Sequence, residues 1–245
     1  MVDLTKKEKE KFYLEFLLKE LGMDISNVQD SESPDFIYKD GNKLIGIEIT
    51  RIFNETGDPP LQVIESHYEQ IKENLEVLLN NSGLPKLDVS LTFSQMPSII
   101  KRNRKQLAEL IYEYILFNLP NENFWFSINN NLNRNKSLPI ELSVLRVARF
   151  SFIDKHQVVV PKLGCVCEDF FEKLQSIIHK KNEKLLNSYK ELDENWLLIY
   201  SDNDSGASMN NPSSQTLEYN YKTDFDKLFF FSGIRFQIFE LNKFL

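Results

Sequence analysis

The chain has 245 residues, 42% hydrophobic and 12% aromatic, including 19 Phe, enough for one large globular domain with a full core. Its net charge of −7 argues against a protein that coats nucleic acid through many phosphate contacts, but allows an enzyme with a basic groove around an acidic centre. The most apolar stretches, Trp196–Tyr200 and Leu228–Phe231, are strand-sized, and Met1–Glu8 enters a charged helix with no signal-peptide core, so no membrane span and a cytoplasmic location are expected.

In chain order, Thr5–Leu21 is the first predicted helix, with Thr5 and Glu8 as a capping box and Gly22 as the stop. Asp24–Asp30 reads as a loop. Two apolar strands follow, Pro34–Tyr38 and Leu44–Thr50, joined by a Lys39–Asn42 turn whose Asp-Gly supplies the positive φ a hairpin needs. Arg51–Pro60 is a loop, and Leu61–Asn80 has helical periodicity. Lys86–Phe93 alternates as a strand, and Ile99–Phe117 is a helix. Asn118–Ser137, rich in Asn and broken by Pro120, reads as an exposed irregular excursion, although the aromatic run Phe124–Phe126 within it resembles a core strand, as does Phe229–Phe231. Ile140–Phe152 and Gln157–Val160 suit strands, Glu168 to about Lys190 a long helix, and Trp196–Tyr200 a strand buried on both faces. Asp202–Gln215 is a Ser/Asn/Gly loop, and Phe225–Phe231 with Ile234–Leu241 close the sheet. This pattern predicts one α/β domain over 1–245, with its core in 1–50 and 168–245 and an elaboration at 51–167 inserted into it.

The chemistry concentrates in the hairpin. Glu48 stands between Ile47 and Ile49 and so points away from their face, and antiparallel pairing brings Asp35 toward the same end. Two carboxylates brought together repel unless a cation lies between them, which makes a divalent metal site the first expectation. Other chemistries find little support. His67, His156 and His179 lack metal-ligand spacing, Ser205–Ser208 lacks a nucleophile elbow, and no Walker or GxGxxG motif occurs. Cys165 and Cys167 read as a buried pair in a strand, and the basic run Lys101–Lys105 as a solvated helix face.

Pro34-Asp35, the hairpin and Gly46-Ile47-Glu48-Ile49 resemble the PD-(D/E)xK nuclease superfamily, the restriction-endonuclease-like fold with a mixed central sheet flanked by helices. Its signature continues with a lysine two residues after the acid, where this chain has Thr50. In this superfamily the lysine can migrate to a helix beside the site. The preferred replacements are Lys184 and then Lys181, three apart on one helix face, with Lys184 ahead because Leu185 anchors its turn; Lys72 is the runner-up. The resemblance also implies an acid on the first helix, Glu10 rather than Glu15, with Glu8 kept for capping. Asp35, Glu48 and the Ile49 carbonyl would then hold Mg²⁺, or Mn²⁺, for phosphodiester hydrolysis. The implied substrate is nucleic acid, DNA before RNA, with a homodimer and a role in phage defence in keeping with such relatives. Two readings compete: a catalytically degenerate module, marked by Thr50, that binds nucleic acid or a protein; and an ordinary hairpin in which Glu48 is a paired strand acid.

Overall fold

The computed structural model describes residues 5–53, 59–94, 103–130, 138–161, 166–188, 192–203 and 205–244. Its regular elements are, in chain order, α1 (Lys6–Glu20), β1 (Val28–Asp30), β2 (Phe36–Asp40), β3 (Lys43–Arg51), α2 (Leu61–Asn81), β4 (Asp88–Phe93), α3 (Arg104–Phe117), β5 (Phe124–Asn129), β6 (Leu142–Arg149), β7 (Gln157–Val159), α4 (Phe171–Ser188), β8 (Glu194–Ser201), α5 (Ser214–Glu218), β9 (Lys227–Ser232) and β10 (Gln237–Glu240). The chain is α/β and forms two compact units, Met1–Asn54 with Gly164–Leu245, and Glu55–Leu163. No described helix is long and apolar enough to cross a membrane.

The first unit is built on a mixed sheet in the order β1-β2-β3-β8-β9-β10. β2 and β3 are antiparallel across a tight turn at Gly41, whose φ of +60° suits glycine, whereas β3, β8 and β9 run parallel. Alternation sends Ile45, Ile47, Ile49, Trp196, Leu198 and Tyr200 to one face, where Tyr13, Leu14, Leu17 and Leu18 of α1 cover them. Leu197, Ile199, Leu228 and Phe230 face the other way, against Leu174 and Ile178 of α4. With both faces covered, β8 is buried from Trp196 to Ser201, as its unbroken apolar run predicts. Each such side chain contributes about 1.5–3 kcal/mol on burial. At the start of α1 the capping box is present: Glu8 N–H donates to Thr5 Oγ1 and Thr5 N–H to Glu8 Oε2.

The second unit has its own mixed sheet, in the order β5-β6-β4-β7, and its own core, in which Leu75 and Leu79 of α2 and Leu107 and Ile111 of α3 meet Val89, Leu91, Leu145 and Val147 of the sheet. The stretch expected to be an elaboration of one domain therefore encloses a separate interior, and the chain is two units. Local departures are smaller. Val28–Asp30 pairs with β2, where a loop was expected. Phe124–Asn129 is a strand within the expected excursion, yet Phe124 and Trp125 are exposed, so the aromatic run is no core strand. Cys167 forms an isolated bridge with Asn210 rather than joining a regular strand, and Cys165, Lys101 and Arg102 lie outside the described residues.

Candidate functional site

The β2–β3 ladder ends at Phe36 opposite Ile47, so Asp35 occupies the next position, across from Glu48. Beyond that rung β3 continues alone, and its Ile49 N–H, with no strand partner on that side, donates to Asp35 Oδ2 at 2.8 Å. Asp35 is held from behind as well. Its carbonyl accepts from Ser31 N–H at 3.0 Å and from the Lys7 ammonium at 2.8 Å, and Lys7 also lies 4.0 Å over the Phe36 ring. Gly46 makes room for this turn: a Cβ there would stand 2.8 Å from Pro34 Cγ and 2.9 Å from Asn195 Oδ1. A side chain at position 46 would thus push away the proline that precedes Asp35.

Glu48 pairs in register with Leu197, which places it on the α4 face of the sheet, and it is only 1% exposed. Burying a carboxylate there costs several kcal/mol unless it is compensated. Compensation comes from α4, where Lys181 Nζ donates to Glu48 Oε1 at 2.6 Å and Lys184 Nζ donates to the same oxygen at 3.0 Å. The helix presents both because positions 181 and 184 follow Leu174 and Ile178 along the buried stripe. Both lysine side chains are partly exposed, at 23% for Lys181 and 38% for Lys184. Lys181 is the closer and the less exposed of the two, which reverses the expected order.

A third acid comes from α1. Glu10 is 3% exposed and pairs at 3.3 Å with Lys6, whose side chain is largely in water. Glu15 is exposed and takes no part, and Glu8 is held in its cap. Asp35 senses both other acids: burial raises its carboxyl above its ordinary value, the Ile49 amide opposes this, Glu48 and Glu10 add to the rise, and Lys181 offsets part of it. Glu48, Glu10 and Lys181 thus act on Asp35, while Lys181 and Lys184 hold Glu48. Asp35 is half-buried, and through it and Lys184 the cluster meets solvent.

The donor set suits a hard divalent cation. Among the described residues no three acidic, histidine or cysteine side chains are gathered into a ready-made cage. Magnesium needs only one or two carboxylates, because it keeps several of its waters. Asp35 and Glu48 can supply those, and the repulsion that raises Asp35 would be relieved by a bound cation. Ile49 is seen to offer its N–H to Asp35, whereas its carbonyl was the expected contribution. Thr50 alternates with Ile49 onto the face of Glu48, as the lysine of the motif would.

Other expected groups have settings of their own. Lys72, in the second unit, is paired with Glu69. His67 Nδ1 accepts from Arg104 Nε at 3.2 Å, and His156 Nδ1 accepts from Leu87 N–H; both are buried and held below their ordinary pKa, first by burial and then by Arg104 and Lys86 respectively. His179 is exposed on α4. One contributor escaped the sequence reading: Lys7, which anchors the backbone of Asp35. Its position three residues before Glu10, on the adjoining helix face, is the signal that could have found it.

Compared with known proteins, the chain matches no family model, no curated protein and no solved structure.

Proposed function

We propose that this chain is a metal-dependent nuclease that hydrolyses phosphodiester bonds, DNA before RNA, with a first unit of the restriction-endonuclease-like type. The observation that carries this reading is the meeting of Glu10, Asp35 and Glu48 with Lys181 and Lys184 at the open end of a strand hairpin. A lone strand acid in need of stability would take one cation; it would not draw two of them beside a second carboxylate, Asp35, whose own proton affinity is raised. The hairpin, the parallel strands and the flanking helices are in keeping with that fold.

Asp35 and Glu48 would hold Mg²⁺ or Mn²⁺, which supplies polarisation of the phosphate and acidification of a bound water. The chain's own part is to place charge. Lys181 and Lys184 would stand in for the motif's lysine from their place beside Glu48, and can neutralise charge developing on phosphate oxygens. Thr50 can orient a water but carries no charge, so the helix lysines do what it cannot. Glu10 would act on the cluster through its charge rather than as a further ligand. Lys7 fixes the Asp35 backbone without touching the reacting groups.

The competing module reading draws on one observation: Glu48 is nearly sealed beneath its two lysines. Incubation of the purified chain with linear and circular DNA and with RNA, in Mg²⁺, Mn²⁺ or chelator, separates the two. The expected result is cleavage that requires the divalent ion, disappears in Asp35→Asn and Glu48→Gln, and falls by about 10²–10³ in Lys181→Met. Binding without cleavage under every condition would favour the module. Cutting that survives both acid substitutions would falsify the site.

A further inference from the structure

The second unit carries a surface that the acidic cluster does not account for. Residues 55–163 contain 12 Lys/Arg and 12 Asp/Glu, while the remainder contains 17 and 24, so the entire net charge of −7 belongs to the first unit. A polyanion brought to that unit needs to be held somewhere less repulsive.

The sheet of the second unit packs its core on one face only. Its other face is set by register: Trp125, Ala148 and Asp88 form one row across β5, β6 and β4, and Ser127, Arg146 and Ser90 form the next. A cavity of about 490 Å³ opens over these six residues. Trp125 is 63% exposed, although a tryptophan gains most by burial. Among the described residues its indole makes no hydrogen bond or ring contact, and the Arg146 guanidinium, also exposed, has no hydrogen bond or ion pair. One flat ring and one fork of donors, on adjacent rows of a rigid sheet, are thus left uncommitted.

We infer that this open face binds single-stranded nucleic acid, with Trp125 stacking on a base and Arg146 pairing with a phosphate. Stacking on a sheet-borne ring needs an unpaired base face, which a duplex does not offer. Ser90 and Ser127 supply hydroxyls to sugar or base edges. Asp88 lies in the row of Trp125 rather than that of Arg146, so the backbone runs along the arginine side and the base lies toward the tryptophan. A second protein copy suits the face less well, because closing it dry would strand Asp88, Arg146 and both serines around a single ring. The inference rests on the reading of the chain as one that acts on nucleic acid, but not on hydrolysis.

The test uses the full chain carrying Asp35→Asn, in chelator, with oligonucleotides of about 12 nucleotides as single-stranded DNA, single-stranded RNA and duplex. The chain has two tryptophans, and Trp196 is 3% exposed, so quenching of exposed-tryptophan emission reports on Trp125. Saturable quenching by single strands is expected, with weaker binding of duplex. By labelled-strand anisotropy, Trp125→Ala should weaken binding about tenfold. Arg146→Ala should weaken it as well and reduce the salt slope by about 0.7. Both positions are exposed, so unchanged thermal midpoints would confirm intact folding. No binding, equal binding of duplex, or affinity indifferent to both substitutions overturns the inference. So does a concentration-dependent dimer abolished by Trp125→Ala, which would assign the face to a second copy. Cleavage by the unsubstituted chain is scored separately: if it occurs while the face proves inert, the nuclease reading stands and this inference falls.

Discussion

The two sheets place their polar groups by opposite rules. In the first, helices cover both faces and a carboxylate sits on an interior strand, where desolvation is most costly, matched by cations that reach across from α4. In the second, helices cover one face, the core beneath them is apolar apart from His67, Glu141 and His156 buried beside it, and serine, threonine, aspartate and arginine lie on the open side, where they cost little. The second arrangement is what folding alone favours. The first departs from it most sharply at Glu48, 1% exposed on a central strand, and a costly departure held in place by several elements is where function is expected.

The largest effect that could break this contrast comes from removing both cations. Lys181→Met with Lys184→Met should cost about 3–5 kcal/mol in urea unfolding, because Glu48 is left charged and buried. Adding Glu48→Leu to the same chain should restore most of the loss while leaving it inactive; failure to recover would mean that the lysines stabilise the unit by some other route. In the second sheet the comparable injury is apolar. Leu91→Ala should cost about 3 kcal/mol, read as lost hydrogen-exchange protection in residues 55–163, with the acidic cluster unaltered. Gly46→Ala should cost about 1–3 kcal/mol by pushing Pro34 and Asn195 aside, and should weaken metal-dependent activity by displacing Asp35.

Asp35→Asn sharpens the comparison by sign rather than size. The Asp35 carboxyl is raised in the folded state, so its ionisation opposes folding: this cost is absent below the ordinary value of 3.8 and complete once pH exceeds the folded value. In chelator at neutral pH the asparagine variant, whose side-chain oxygen can still accept from Ile49, should therefore melt above the parent. The advantage should fade as pH falls through the raised pKa. A thermal series across that range checks it, and an advantage that grows toward acid would refute the charge argument. At the bottom of the scale, Ser127→Ala on the open face should change stability by less than about 0.5 kcal/mol.

The parts of the site that were legible in the sequence share a physical reason. A charge inside an alternating apolar strand, as at Glu48, is conspicuous because burial makes it expensive, and Lys181 and Lys184 are conspicuous because their spacing shares the stripe of Leu174 and Ile178. Glu10 could be preferred to Glu15 only through resemblance, since Glu10 stands in a run of lysines that reads as a solvated face and Glu15 is the one amid Phe12, Phe16 and Leu18; burial then distinguished them. The order of the two lysines depends on a difference of a few tenths of an ångström, which no periodicity encodes. β1 is three residues of Val-Gln-Asp, too short and too polar to show alternation, and exists because β2 offers it an edge. The separate core of the second unit went unseen because apolar spacing shows that a helix or strand is buried, but not against which partner.

The separation of Glu48 from Lys181 along the chain, 133 positions, has a consequence for synthesis. At about 5–20 residues per second, the acid leaves the ribosome on the order of ten seconds before its first ammonium does. In that interval β8 is also missing, so β3 has neither its parallel neighbour nor a countercharge. The nascent polypeptide consequently carries a solvated, harmless glutamate, and the centre comes into being only after α4 and β8 have been made.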